Sequence, residues 1–127
     1  MPVRVRIDVD AAEPAWRQIA DQLRAALVSG RLRPGAQLAS VRELALDLGV
    51  NHNTVAEAYR RLAAEGFLLL DRRAGAVVQE REAPRPQAGE QERLARRLRG
   101  VLAEARAAGL SLSALQAALR RAGEELS

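Results

Sequence analysis

The chain has 127 residues, of which 48% are hydrophobic and 28% charged, and its net charge is +4. That length supports one compact domain with an appendage and excludes two full-sized domains, while the balance is that of a soluble globular chain rather than a disordered one. It has no cysteine, which excludes a disulfide framework, a thiolate metal site and a cysteine nucleophile; with no apolar leader and no run near the roughly 20 residues of a membrane span, it is expected in the cytoplasm, away from membranes.

Val3 to Ile7 alternates apolar and basic residues and predicts a short edge strand; Asp8 to Pro14 then reads as a turn whose proline can open a helix. Trp16, Ile19, Ala20, Leu23 and Leu27 fall on one face of a helix that ends near Gly30. Pro34-Gly35 marks a turn in the connection that follows, with Leu32 and Leu38 placed to pin that connection to the core.

The segment from Ser40 to Gly66 holds two amphipathic patterns broken at Gly49, which is the signature of a helix-turn-helix. Ser40 is placed to cap the first of these helices, with Glu43 completing a capping box, and Val41, Leu44, Ala45 and Leu48 facing inward. Asn51 is placed to cap the second, whose inner face is Val55, Ala58, Tyr59 and Leu62; His52, Asn53, Ala56, Glu57 and Arg60 look outward. Gly66 stops that helix. Phe67 to Leu70, Asp71 to Gly75 and Ala76 to Val78 then read as strand, turn and strand, a wing with Arg72, Arg73 and Gly75 at its tip. Paired arginines and a glycine there suit close approach to a phosphate backbone.

After the wing, two prolines and a glycine between Glu80 and Gly89 break all periodicity and mark a linker. Leu94, Leu98, Val101, Leu102 and Ala105 form the apolar side of a following helix that ends at Gly109, and Ser111 or Ser113 can cap a last helix bearing Leu112, Leu115, Leu119, Ala122 and Leu126. Two such helices enclose little core, so their stripes need either the winged domain or a second subunit, and the second subunit is the preferred reading. The expected fold is therefore mainly α with a small β-hairpin. It comprises a winged helix-turn-helix over residues 1–79, a linker over 80–89 and a C-terminal helical hairpin for dimerisation over 90–127.

Residues 12–79 resemble the winged helix-turn-helix domain of the GntR family of bacterial transcription regulators. The landmarks are Gly30-Arg-Leu-Arg-Pro-Gly35, Leu38-Ala-Ser-Val-Arg-Glu-Leu44, Leu48-Gly-Val-Asn-His-Asn-Thr-Val55, Ala58-Tyr-Arg-Arg-Leu62 and Glu65-Gly66 before the hairpin. The short tail and the Ser-Val-Arg-Glu-Leu and Asn-Thr-Val wording resemble the YtrA-like subgroup. The resemblance implies that Ser40 and Arg42 meet the DNA backbone and groove edge, that Asn51, His52, Asn53 and Thr54 read bases, and that Gly75 borders the minor groove. It also implies a homodimer formed through the tail, and it suggests a target operon encoding an ABC transporter. The chain departs from the family pattern in three places: in the helix after Gly49, His52 and Ala56 stand where many relatives carry arginine; at the wing tip, Arg73-Ala74-Gly75 replaces glycine, any residue, glycine; and before Ser40, Ala39 replaces a proline.

All 20 basic residues are arginine; 11 face 9 acids in residues 1–79 and 9 face 7 in residues 80–127, so charge alone does not locate the nucleic-acid surface. A single histidine, with no nucleophile paired to a base and no phosphate-cradling glycine loop, argues against an enzyme and against a metal or cofactor site. The 48 residues after Gln79 leave no room for a large ligand cavity. A small-molecule effector is then confined to a dimer interface lined by the tail helices or by Trp16, a residue whose spacing otherwise reads as core. The expected function is a homodimeric, sequence-specific repressor on palindromic double-stranded DNA. The alternative is a winged-helix module that binds a protein partner, which an apolar patch on the second helix of the pair would favour.

Overall fold

A computed structural model describes residues 3–127, which divide into two compact units, the first ending at Arg81 and the second spanning Glu82–Ser127. In the first unit, α1 (Ala15–Val28) starts at Pro14, whose carbonyl accepts from the N–H groups of Arg17 at 3.0 Å and Gln18 at 3.1 Å. Helix α1 buries Ile19, Ala20, Leu23 and Ala26, while Trp16 stays half-buried with the Arg61 guanidinium stacked 4.6 Å from its ring centre. Trp16 therefore belongs to the margin of the core, not to its centre.

Helices α2 (Val41–Leu48) and α3 (His52–Ala64) form the predicted pair. Gly49 turns between them in the left-handed region, at φ 68° and ψ 33°, and the next N–H, of Val50, closes back on the Ala45 carbonyl at 3.1 Å. A side chain at Gly49 would meet open space, so the need for glycine is backbone geometry alone. The buried residues of α3 are Val55, Ala58, Tyr59 and Leu62, the face its periodicity predicts. They pack against α1, α2 and the wing, so α3 runs through the middle of the unit. Burial of each large side chain contributes about 1.5 to 3 kcal/mol, and Tyr59, Ile19, Leu23, Leu32, Leu62, Leu68 and Val55 are the largest of those fully enclosed.

The wing pairs β1 (Leu68–Asp71) with β2 (Gly75–Val78) antiparallel, in register from Leu68 opposite Val78 to Asp71 opposite Gly75. Phe67, predicted as the first strand residue, instead closes the end of α3, its N–H donating to the Leu62 carbonyl at 3.0 Å. The connection before α2 adds a third, partial strand that the sequence did not reveal. Gln37 bridges Val77, the Leu38 N–H donates to Ala76 at 2.9 Å, and the Val78 N–H donates to Ala36 at 2.8 Å. Leu32 and Leu38 are buried as expected.

The edge strand predicted over Val3 to Ile7 does not form. Val3 and Val5 are buried and Arg4 and Arg6 exposed, so the alternation is present, yet the segment pairs with no strand. Its backbone bonds go to side-chain amides of α1: Gln22 bonds both the N–H and the carbonyl of Arg6, at 3.0 and 2.6 Å, and Gln18 does the same for Asp8 at 2.8 and 3.0 Å. With those groups satisfied, the segment needs no ladder.

Beyond β2, the chain turns back on the end of α3. The Gln79 amide donates to the Gly66 carbonyl at 2.9 Å, and Arg81 donates to the Glu65 carbonyl at 2.8 Å while stacking 4.1 Å from the Phe67 ring centre. Arg24 clamps the same turn, its guanidinium meeting both carboxylate oxygens of Glu65 at 2.9 and 2.8 Å.

The second unit consists of α4 (Glu90–Ala107) and α5 (Leu112–Glu125). Ser111 is the cap of α5, its hydroxyl accepting from the Ala114 N–H at 3.1 Å. Neither helix has a fully buried residue. No helix among the described residues is long and apolar enough to cross a membrane.

Candidate nucleic-acid interface

The N-terminal turns of α2 and α3 carry most of the residues singled out in the sequence. Ser40 adopts extended backbone before α2 and its hydroxyl accepts from the Glu43 N–H at 3.1 Å. The return bond that a full capping box requires of Glu43 is not made among the described residues. The Ser40 N–H has no partner among the described residues, and Arg42 stands exposed in the first turn of the helix. Free N–H groups at a helix start favour an anion, so this turn suits a phosphate oxygen.

Asn51 caps α3 through its side-chain oxygen, which accepts from the Asn53 N–H at 2.8 Å. That bond uses one of the two lone pairs on the Asn51 side-chain oxygen and leaves its amide nitrogen as a free donor among the described residues. His52 and Asn53 are exposed, and Thr54 is half-buried with its N–H bonded to the Asn51 carbonyl at 3.0 Å. Asn53 keeps both donor and acceptor, the combination that can pair with the major-groove edge of adenine.

The wing tip is held by Asp71. One of its carboxylate oxygens accepts from the N–H groups of Arg73 at 2.7 Å and Ala74 at 3.2 Å, and these bonds, Arg73's first, lower its pKa below the ordinary carboxylate value. Gly75 has φ 76°, which frees the backbone to re-enter β2. Arg72 and Arg73 project from this tip as exposed charges.

A groove of about 790 Å³ runs between the start of α2, the outer face of α3 and the wing, and it brings Ser40, Arg72 and Gly75 together with Ala56, Tyr59 and Arg60. A neighbouring one gathers Gln37, Ser40, Arg73 and Gly75. Arg42 and Asn51 to Thr54 do not line either groove. Two contacts of this region escaped the sequence reading. Gln37 donates its side-chain amide to the Ala74 carbonyl and ties the wing tip to the segment before α2, and Tyr59 donates to the Ala39 carbonyl at 2.7 Å. Isolated polar groups in a loop or on an apolar face have no period to betray them.

Glu57 lies on the outer side of α3 between two arginines, with one oxygen on Arg60 at 2.8 Å and the other on Arg61 at 2.9 Å. These hydrogen bonds, Arg60's foremost, lower the carboxylate pKa.

Comparison with known proteins agrees with this geometry. Residues 16–78 match the model of the bacterial regulatory proteins of the gntR family. The HTH-type transcriptional repressor YtrA of Bacillus subtilis is 32% identical over 111 residues, covering 87% of this chain and 85% of that protein. The solved structure of YtrA from Sulfolobus acidocaldarius, a GntR-family transcription factor, is 35% identical with a TM-score of 0.60, covering 78% of this chain and 97% of that one. A protein of Listeria monocytogenes described as a transcriptional antiterminator shares the fold at a TM-score of 0.78 over 99% of this chain and 94% of that one, at 19% identity. A helix pair, a wing and a match that continues along most of a full-length relative converge on one assignment: the chain belongs to the GntR family of bacterial regulatory proteins and is a transcriptional regulator rather than an enzyme.

Proposed function

We propose that the chain is a cytoplasmic repressor that binds a near-palindromic operator as a homodimer and blocks a promoter by occupying it. The supporting observation is the convergence of the Ser40 cap, Arg72 and Gly75 on one groove of the unit that exposes the polar first turn of α3. In this reading, residues 1–79 form the DNA-binding domain, 80–89 the linker and 90–127 the dimerisation tail.

The division of labour follows from chemistry. Ser40, Arg42, Arg72, Arg73 and the backbone at Gly75 hold phosphates and set register, contacts that carry no sequence information themselves. Asn51, His52, Asn53 and Thr54 supply base discrimination, each good bidentate contact being worth roughly 1 to 3 kcal/mol. Because Asn51 also caps its helix, Asn53 and His52 carry more of the readout. A two-fold dimer sets two such helices against half-sites about one helical turn, or a multiple of it, apart. Relatives named as repressors favour the negative sign of regulation. An ABC transporter operon is the target that the family resemblance suggests, and an effector, where one acts, would bind at the dimer interface.

The test is to incubate the protein with fragmented DNA of its own genome at near-physiological salt, then recover and sequence the bound pieces. An enriched palindrome beside a promoter is the expected result. Only salt-sensitive, sequence-blind retention would overturn the sequence-specific reading and favour a protein partner for the winged helix.

A further inference from the structure

Arg60 lies one turn beyond Ala56 on the outer face of α3, at the i+4 position, and both line the groove that holds Ser40, Arg72 and Gly75. Helical side chains lean toward the N-terminus, so a residue covers the surface over the preceding turn. The small side chain of Ala56 leaves that surface open. An arginine reaching back from position 60 can occupy it, in the groove that Arg72 lines from the wing side.

In the free protein Arg60 is committed elsewhere, to one oxygen of Glu57 at 2.8 Å. That commitment is weak. The Arg60 side chain is 61% exposed, and ion pairs in such surroundings add little because water and salt screen them. Glu57 also does not depend on Arg60, since Arg61 holds its other oxygen at 2.9 Å and is itself fixed by stacking on Trp16. Loss of Arg60 therefore leaves the carboxylate with a charged partner.

We propose that Arg60 is a further DNA-contacting residue, which exchanges its Glu57 partner for a backbone phosphate bound in the groove between α3 and the wing. The inference rests on the DNA-binding reading above and adds a contact to it. A phosphate there takes a bidentate pair of N–H donors from a planar guanidinium, and the exchange replaces a screened carboxylate by an anion held also by Arg72. Glu57 competes with the phosphate for the same group, which makes it a brake on sequence-independent affinity.

The test uses the full chain and a labelled duplex of random sequence, with binding followed by fluorescence anisotropy across a salt series. Phosphate contacts register on any sequence, and each one lost flattens the dependence of log Kd on log salt by about 0.9. Arg60→Ala is expected to weaken binding about tenfold and to flatten the slope by about 0.9 per bound protomer, with Arg60→Lys restoring most of the slope. Glu57→Gln is expected to tighten binding about threefold, and this gain should shrink when Arg60 is alanine, as coupled neighbours require. An unchanged affinity and slope in Arg60→Ala would overturn the proposal, as would a Glu57→Gln gain that persists undiminished without Arg60. Wild-type protein that fails to bind the duplex at any salt would instead sink the DNA-binding reading itself. Thermal unfolding of each variant separates these results from misfolding, because a variant that melts as wild type does must owe its altered binding to the contact.

Discussion

The Tyr59 hydroxyl donates a 2.7 Å hydrogen bond to the carbonyl oxygen of Ala39, joining the core face of α3 to the residue immediately before the Ser40 cap of α2. Ala39 has no ring to stiffen this approach to the helix, and the tyrosine bond fixes it. Tyr59→Phe keeps the ring packed and leaves the Ala39 carbonyl unpaired. The expected cost is about 1 to 2 kcal/mol in urea unfolding, with no change in the slope of the transition.

Tyr59 is the only tyrosine, which makes its ionisation readable by absorbance. Burial, and secondarily the nearby charge of Glu43, raise its pKa well above the ordinary phenol value of about 10. A raised folded-state pKa gives stability that is fully present below about pH 10 and is lost as pH climbs from there toward the folded value. Tyrosinate absorbance is therefore expected to appear together with loss of helical circular dichroism, not before it. A phenol titrating near pH 10 in the folded protein would contradict the burial.

The helix pair was legible because its signals are periodic: Val55, Ala58, Tyr59 and Leu62 repeat at helical spacing, and Ser40, Gly49 and Asn51 punctuate them. The N-terminal segment misled because alternation reports which side chains go inward, not what satisfies the backbone. The amides of Gln18 and Gln22 that replace a partner strand lie 10 and 16 residues away. Gln37 escaped for a similar reason, since its carbonyl partner at Ala74 is 37 residues on and nothing local marks it. On the outer face of α3, sequence periodicity gave the direction of Arg60 but could not reveal that it lines one groove with the wing arginine Arg72.

Asn51 has two roles that substitution can separate. Asn51→Asp keeps a strong cap for the Asn53 N–H and improves the charge at the helix start. Its stability is expected to stay within about 0.5 kcal/mol of wild type, while DNA affinity falls because an anion now faces the phosphates. Asn51→Ala is expected to lose about 1 kcal/mol of stability as well. Parallel urea unfolding and anisotropy titrations decide the case, and equal DNA affinity for Asn51→Asp would remove this residue from the interface.

At Gly49 the geometry isolates backbone strain, because a Cβ there touches nothing within 4 Å while φ is 68°. Gly49→Ala is expected to destabilise by about 1 to 2 kcal/mol, and Gly49→Asn by less, since asparagine tolerates the left-handed region. Thermal unfolding of the pair gives the order; alanine equal to asparagine would mean that the turn relaxes when substituted.

The tail gives the prediction with the widest consequence. Helices α4 and α5 bury no residue fully, yet each repeats leucines at helical spacing, Leu94, Leu98 and Leu102 on one and Leu112, Leu115 and Leu119 on the other. If a second subunit covers these stripes, the full chain is a dimer by light scattering, and Leu98→Glu together with Leu119→Glu makes it a monomer, because a charge at a buried apolar contact costs several kcal/mol against about 1.5 to 3 gained by each buried leucine. The first unit is expected to keep its fold, since its core is built from Val3 to Val78. Operator affinity then drops steeply while random-duplex affinity per protomer changes little, because two half-sites no longer bind as one linked unit. A doubly substituted chain that remains dimeric would take the subunit contact away from the tail.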